Sequence, residues 1–381
     1  MKEGKNKMII DIKEFQEVCK TVLAATDTSE LSTLNETLEL ETEGDALYLS
    51  TTNGEYYARV RFPIPGVEAF HASVNANLFL KLIAAVTTET VDIVLHDTYL
   101  NVKANGNYKI PLIFENDHML SIPPITIQNP TVDMNISGAV LDSIVNFNSK
   151  QLTMGNAVQP VQKLFYLDNE GCITFTSGAC VNNFQLPQPV RVLLNARLVN
   201  LFKLFKGDMV HFTLGYDALS EKIIQTKVSF ATDNITLTAV TGCDDSLLSQ
   251  VPVGPIRNRA NKDYEYKVVF NVKELSAALN RLLLFNTDKN NTRPYSAFKF
   301  SSEGVTIYDT REENTEVVRY QNSVTFPEEY TMKVDLTHFK KVIDNCTEAY
   351  ATLNFGSDHA CCVVVRGSIK NVIPQVVVRN A

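Results

Sequence analysis

Six times along the chain an apolar residue is followed by Asn or Asp, and then by about a dozen residues whose apolar positions fall at helical spacing. The copies open at Ile10-Asp11-Ile12, Val74-Asn75-Ala76, Met134-Asn135-Ile136, Leu194-Asn195-Ala196, Phe270-Asn271-Val272 and Val334-Asp335-Leu336. Their Asn/Asp positions pair as 11 with 75, 135 with 195 and 271 with 335, spacings of 64, 60 and 64. A fixed period means that one supersecondary unit is reused. The pairing predicts three domains, 1–128, 129–260 and 261–381, each made of two similar halves.

Each Asn or Asp reads as a helix N-cap, a short side chain that accepts from the first free backbone amides. Behind the caps run the apolar sets Ile12, Phe15, Val18, Cys19, Val22 and Leu23; Leu78, Phe79, Leu82, Ile83 and Val86; and Val140, Leu141, Ile144 and Val145. The later sets are Leu198, Leu201, Phe202 and Phe205; Leu275, Leu279, Leu282 and Leu283; and Leu336, Phe339, Val342, Ile343 and Cys346. Between helices the period falls to two. Residues 37–41 and 46–50 alternate around Glu43-Gly44-Asp45, 91–95 and 99–103 around His96-Asp97-Thr98, and 297–301 and 305–308 around Glu303-Gly304. These predict hairpins of half-buried strands. The fold class is therefore α+β, with helices packed on antiparallel sheets. Loops at Ser121 to Pro130 and Val251 to Lys262 mark the boundaries.

The 381 residues, 45% hydrophobic and 20% charged, fit an ordinary globular chain. No apolar run reaches the roughly 18 residues of a membrane helix, and no signal peptide is expected. The seven Cys lack CxxC spacing, and Cys361-Cys362 would point to opposite faces of a strand. They predict reduced thiols in a cytoplasmic protein. A net charge of −8 argues against gripping nucleic acid by bulk charge. The distribution differs: the helix windows carry eleven bases against seven acids, a net +4, and the rest carries −12. Opposite the apolar stripes stand Lys13, Lys20, Lys81, Lys150, Arg197, Lys203, Lys273, Arg281, His338 and Lys341, with Lys206 at a helix end. Arrayed on one side they would suit a phosphate backbone, which Lys and Arg contact without reading sequence. Merely solvated helix faces are the alternative.

Catalytic signatures are missing: no GxxxxGK[ST], no GxGxxG after a strand, no HExxH, and six His without metal-ligand spacing. The acid pairs Asp244-Asp245, Glu312-Glu313 and Glu328-Glu329 lie in polar stretches and read as solvated. No enzyme, metal or cofactor is expected.

From about residue 8 onward the chain resembles the bacterial DNA sliding clamp, the beta subunit of DNA polymerase III. The resemblance rests on the order and spacing of several segments. They are Leu34 through Phe62 with Gly44 in its turn, Val74-Asn75-Ala76-Asn77-Leu78-Phe79, Phe175-Thr176-Ser177-Gly178-Ala179, Asn291-Thr292-Arg293-Pro294-Tyr295 and Val372-Ile373-Pro374-Gln375-Val376. It implies a head-to-tail homodimer closing a ring around double-stranded DNA, bound without sequence preference. It also implies partners, among them DNA polymerase and a clamp loader, that dock through short linear motifs. The implied DNA-facing residues are Lys20, Lys81, Lys150, Arg197, Lys203, Lys206, Arg281 and Lys341. The implied partner-peptide pocket holds Thr176, Gly178, Val181, His338, Val372, Ile373 and Pro374, with Pro252 beside it. The implied dimer interface uses Ile110, Leu112, Leu283 and Leu284, for which a core role is the alternative.

The chain departs from the clamp pattern in four places. Val377-Val378-Arg379-Asn380-Ala381 extends the tail, Gln375 replaces an apolar residue, His338 stands where Tyr is common, and Thr28-Ser29-Glu30-Leu31-Ser32 lacks an Arg-Pro. Such drift suits a clamp carried by a virus or mobile element. Two other readings stay open: a clamp-like scaffold that binds proteins without closing a ring, and an enzyme built on the same repeats.

Overall fold

The computed structural model describes residues 7–26, 32–66, 68–155, 157–220, 223–241, 245–285 and 295–376. Thr28 to Leu31, Asp244, Asn291 to Pro294 and Val377 to Ala381 lie outside the described residues.

The repeat resolves into six copies of strand, helix and three-stranded meander. The first is β1 (Lys7–Asp11), α1 (Ile12–Ala25), β2 (Thr37–Glu43), β3 (Ala46–Thr52) and β4 (Tyr56–Pro63). The second is β5 (His71–Asn75), α2 (Ala76–Ala85), β6 (Thr90–Leu95), β7 (Tyr99–Lys103) and β8 (Asn107–Pro111), followed by the small hairpin β9 (Phe114–Glu115) and β10 (His118–Met119). The third is β11 (Pro130–Ser137), a helix of α3 (Gly138–Ser143), a π turn (Ile144–Asn148) and α4 (Ser149–Leu152), then β12 (Leu164–Asp168), β13 (Gly171–Phe175) and β14 (Ala179–Asn183). The fourth is β15 (Arg191–Asn195), α5 (Ala196–Asn200) running into a 3-10 turn (Leu201–Phe205), β16 (Met209–Ser220), β17 (Ile223–Ala231) and β18 (Ile235–Thr241). After α6 (Asp245–Ser249) and α7 (Val253–Asn261) come β19 (Tyr266–Asn271), α8 (Val272–Leu283), β20 (Tyr295–Phe300), β21 (Val305–Tyr308) and β22 (Thr315–Val318). The sixth copy is β23 (Tyr330–Asp335), α9 (Leu336–Asp344), β24 (Tyr350–Phe355), β25 (Cys361–Arg366) and β26 (Ile369–Pro374).

Five of the six expected caps form. Asp11 accepts from the Lys13 and Glu14 amides, Asn75 from Leu78, Asn195 from Leu198, Asn271 from Glu274 and Asp335 from His338. The third differs: Asn135 lies in β11 opposite His211, and Ser137 accepts from Ala139 instead. The segment alternates buried and exposed through Ile136, so strand period wins there and the helix starts at Gly138. Glycine is needed at that start. Its amide reaches Asp208 O at 2.6 Å, and a Cβ would meet that oxygen at 2.7 Å. The expected boundary loop at Val251–Lys262 is largely the helix α7, because its Pro255 falls in the first turn, where no amide is required.

Strands are exchanged between paired copies. β1 joins the meander of the second copy through β6, and β5 joins that of the first through β2. The same exchange links β11 to β16 and β15 to β12, then β19 to β24 and β23 to β20.

The chain divides into two compact units, Met1–Leu141 with Leu201–Cys243, and Asp142–Asn200 with Asp244–Ala381. Unit 1 holds the four-stranded sheet β1-β6-β7-β8 and the eight-stranded sheet β11-β16-β17-β18-β4-β3-β2-β5. Its core places Phe15 of α1 edge-on to Phe62 at 5.2 Å and to Phe79 at 6.3 Å. Burying each such ring contributes about 1.5–3 kcal/mol. Unit 2 holds the eight-stranded sheet β15-β12-β13-β14-β26-β25-β24-β19 and the four-stranded sheet β22-β21-β20-β23. Its helices α8 and α9 bury Leu275, Leu279, Leu282, Phe339 and Val342. Among the described residues no helix is long and apolar enough to cross a membrane. The six described Cys are free, and Cys361 and Cys362 are both buried because that sheet is covered on both faces.

Candidate functional site

The expected apolar stripes are buried or half-buried with one exception, and one expected polar position is buried instead. Leu78 is 51% exposed, and Leu80 takes its place under α2. His338, assigned by spacing to the polar face of α9, is 5% exposed. In unit 1 the exposed bases Lys13, Lys20, Lys81, Lys203 and Lys206 flank the buried stripes of α1, α2 and the 201–205 turn. Gln16 ties α1 to α2, donating to Ile83 O at 2.9 Å and Val86 O at 2.8 Å. Lys20 pairs with Glu17 at 2.5 Å, which holds that carboxyl below the usual Glu range. Lys206 adopts φ 43° ahead of Gly207 at φ 85°, so the chain turns sharply after the helix.

In unit 2, Lys150 is half-buried, while Arg197 and Lys341 are exposed. Lys341 Nζ reaches Thr153 O at 3.4 Å. Arg281 departs from the expected phosphate-facing role. Its guanidinium grips Glu316 of β22 through two bonds of 2.6 and 2.8 Å, because the last turn of α8 lies over that strand. Lys340 is likewise paired with Asp344. Such exposed pairs are weak, and a phosphate could replace the carboxylate in most of them. Bidentate Arg281 is the firmest.

The expected dimer residues separate. Ile110 and Leu112 are core side chains of unit 1, at 2% and 8% exposure, and so are not free to meet another chain. The exposed apolar residue of β8 is Tyr108 instead. Leu283 is half-buried, whereas Leu284 is 74% exposed beside Phe285 at 50%. Val317 of β22 is 67% exposed. Apolar character in the sequence does not separate core from interface; burial does.

Unit 2 brings the expected pocket residues together around the turn joining β13 to β14. Val181 and Ile373 are sealed in the core and Val372 is 5% exposed; as neighbours on β26, Val372 and Ile373 point to opposite faces of the sheet, so they do not line the site together. Thr176 is half-buried, and Ser177 and Pro374 are exposed. Strand β14 pairs with β26 from Ala179 opposite Val372 to Asn182 opposite Ile369. Gly178 is required here: a Cβ would meet Val372 O at 2.6 Å and His338 Cε1 at 2.7 Å. The π turn aims Asn148 inward, where its amide donates to Cys172 O at 3.2 Å and Thr174 Oγ1 at 3.3 Å. π turns are often found at functional sites. It also sets Gln151 to donate to Thr176 Oγ1 at 3.3 Å. Ser177 Oγ donates to Met154 O at 3.2 Å and lies 3.3 Å from His338 Nδ1. Burial, reinforced by Lys341 and opposed by Asp335, holds His338 below the ordinary His value. Gln375 is also buried, donating to Cys361 O at 3.1 Å and accepting from Tyr330 Oη. Gln151 and Met154 carry no sequence signal, and Ser177 stands out only as part of the segment 175–179, since contacts 23 to 161 residues away leave no local pattern.

Among the described residues no group of three or more His, Cys, Asp or Glu could hold a metal ion. The sequence matches no protein-family profile. No curated protein matches it either. Solved structures do. The sliding clamp of Pseudomonas aeruginosa bound to griselimycin superposes with a TM-score of 0.79 at 13% identity, covering 99% of this chain and 100% of that one. The DNA polymerase III beta chain of Streptococcus pneumoniae gives 0.75 at 14% identity, over 98% and 100%. The beta subunit of Borrelia burgdorferi gives 0.75 at 12% identity, over 100% of both chains. In fold, from end to end, the chain resembles the bacterial DNA sliding clamp, DNA polymerase III subunit beta.

Proposed function

We propose that this protein is a processivity clamp: three clamp domains, 1–128, 129–260 and 261–381, doubled head-to-tail into a ring that encircles duplex DNA and tethers a polymerase. It acts without catalysis. One observation carries the ring. Each eight-stranded sheet arises where the third strands of two meanders pair antiparallel, β4 with β18 and β14 with β26. Two third strands have no such partner among the described residues, β8 and β22, each the edge of a four-stranded sheet. Open edges invite pairing. If β8 of one copy meets β22 of another by the same rule, each junction completes a further eight-stranded sheet, and two heterologous contacts close a ring. Exposed Tyr108 on one edge and Leu284 and Phe285 near the other supply the apolar contact.

A closed ring holds DNA topologically, so scattered lysines suffice and sliding is not impeded. Lys20, Lys81, Lys150, Arg197, Lys203, Lys206 and Lys341 are the proposed DNA-facing cations. The turn at Thr176–Gly178 with His338 and Val372 to Pro374 is the proposed dock for short peptide motifs. The test is the mass in solution by light scattering. Twice the 42.5 kDa chain mass supports the ring, followed by preferential retention on circular over linear DNA. A monomer at every concentration refutes a self-closing ring.

A further inference from the structure

Most polar atoms around the Gly178 turn are matched, and the exceptions are of one kind. His338 Nε2, Gln151 Oε1 and Asn148 Oδ1 are buried without a hydrogen-bond partner among the described residues. Two of these are obligate acceptors. The third can be assigned from its neighbours. A hydroxyl has one proton, and a carbonyl can only accept. Ser177 therefore spends its proton on Met154 O and can only accept from His338 Nδ1. Nδ1 carries the ring hydrogen, and Nε2 of the neutral ring is left as a bare acceptor. The Cε1–Nε2 edge faces Gly178: a Cβ there would lie 2.7 Å from Cε1 and 3.2 Å from Nε2.

We infer that His338 Nε2 is a specificity determinant of this pocket, selecting a docked peptide that presents a neutral hydrogen-bond donor, a side-chain amide or hydroxyl. The inference rests on the reading of this turn as a peptide dock. A buried acceptor left unmatched costs about 1–3 kcal/mol, so a ligand that supplies the donor gains over one that does not. Neutral donors are favoured over cationic ones because His338 is buried, and a cation brought beside it would have to give up its water. Nε2 is shielded from water here, so the turn must open on the Gly178 side to admit the donor.

The test uses the full-length protein and a displayed library of random heptapeptides. The wild type should enrich sequences with one position fixed as Asn, Gln, Ser or Thr. The best synthetic peptide should bind His338→Phe about tenfold more weakly. Binding should fail on Pro374→Arg. Enrichment of apolar sequences with no donor position, or equal binding to His338→Phe, overturns the inference and leaves the dock standing. No enrichment, or binding indifferent to Pro374→Arg, overturns the dock itself. Nitrogen-15 correlation spectra of the histidines give a check that needs no variant. His338 should carry its proton on Nδ1, and the Nε2–H tautomer would refute the assignment.

Discussion

Arg366 is 3% exposed, yet no carboxylate pairs with it among the described residues. Its guanidinium donates to Asn345 O at 2.6 Å and Asn371 Oδ1 at 2.8 Å, and lies 5.1 Å from the Phe147 ring centre. Asn345 caps the C-terminus of α9, where the carbonyls concentrate negative potential. The helix end thus takes the place of a counter-ion. Replacing Arg366 with Met keeps most of the volume but strands two acceptors. Each hydrogen bond to a charged group is worth about 1.5–3 kcal/mol. Part of that is returned because a buried charge no longer has to be desolvated, an effect of several kcal/mol per ion before pairing. The expected net loss is about 2–4 kcal/mol, and about half that for Arg366→Lys, which keeps the charge without the fork. The chain has no Trp and two compact units, so a single melting curve is a poor probe. Hydrogen exchange of peptides spanning α9 and β25–β26 reads the opening of this region directly. Protection should fall there and stay unchanged in unit 1. A change within about 0.5 kcal/mol for Arg366→Met would show that the helix end contributes nothing to holding the cation.

Other expectations can be checked in parallel. Ile110 is buried in unit 1 and Val318 in unit 2, and strand alternation sets Tyr108 and Glu316 on those same faces, so a continuous junction puts Lys109 opposite Thr315 or Val317. Lys109→Cys should then form a disulfide dimer with Thr315→Cys or Val317→Cys on a second copy; preferential linkage to Glu316→Cys would contradict the proposed pairing. Gly178→Ala should destabilise the pocket by about 1–3 kcal/mol, since the new methyl meets a backbone carbonyl; an undisturbed exchange pattern would mean that the turn yields freely. Arg197→Glu with Lys203→Glu should shorten retention on circular DNA while the mass stays dimeric, and unchanged retention would remove both from the channel. Burial works against charge on Glu39, but bonds from His71, Ser121 and the Ile122 amide outweigh it and lower its pKa, while the bond to Glu39 raises that of His71. The Glu39 contribution is present above the ordinary Glu value and lost as pH falls through the folded one. The His71 contribution is full below the ordinary His value and lost as pH rises through the raised one. The stability gap between wild type and Glu39→Gln should therefore be widest at about pH 5–6 and narrow on both sides; a flat gap would refute the linkage.

Local signals carried the sequence reading as far as they reach. Caps such as Asn75 and Asp335 act within three residues, so helix starts were legible. Asn135 misled because the same tripeptide also fits an alternating strand, and only pairing with His211 decides. Ile110 could not be told from an interface residue, because both burials reward the same side chain. The diversion of Arg281 depends on Glu316, 35 residues on, and the buried setting of His338 depends on a turn 161 residues before it. Neither distance leaves a periodic trace.

The exchange of strands between copies has a consequence for the protein as it is made. Lys7 of β1 pairs with Val94 of β6, so the first strand waits for more than eighty residues of synthesis before its partner exists. At about 5–20 residues per second that is roughly ten seconds. The outer edge of β4 waits longer, until β18 arrives with Ile235 to meet Val60. A nascent chain of this design therefore carries unsatisfied sheet edges through much of translation, and a chain cut short between copies keeps them. Slowing the ribosome between β4 and β18 should raise the demand for chaperones, without altering a single contact in the finished molecule.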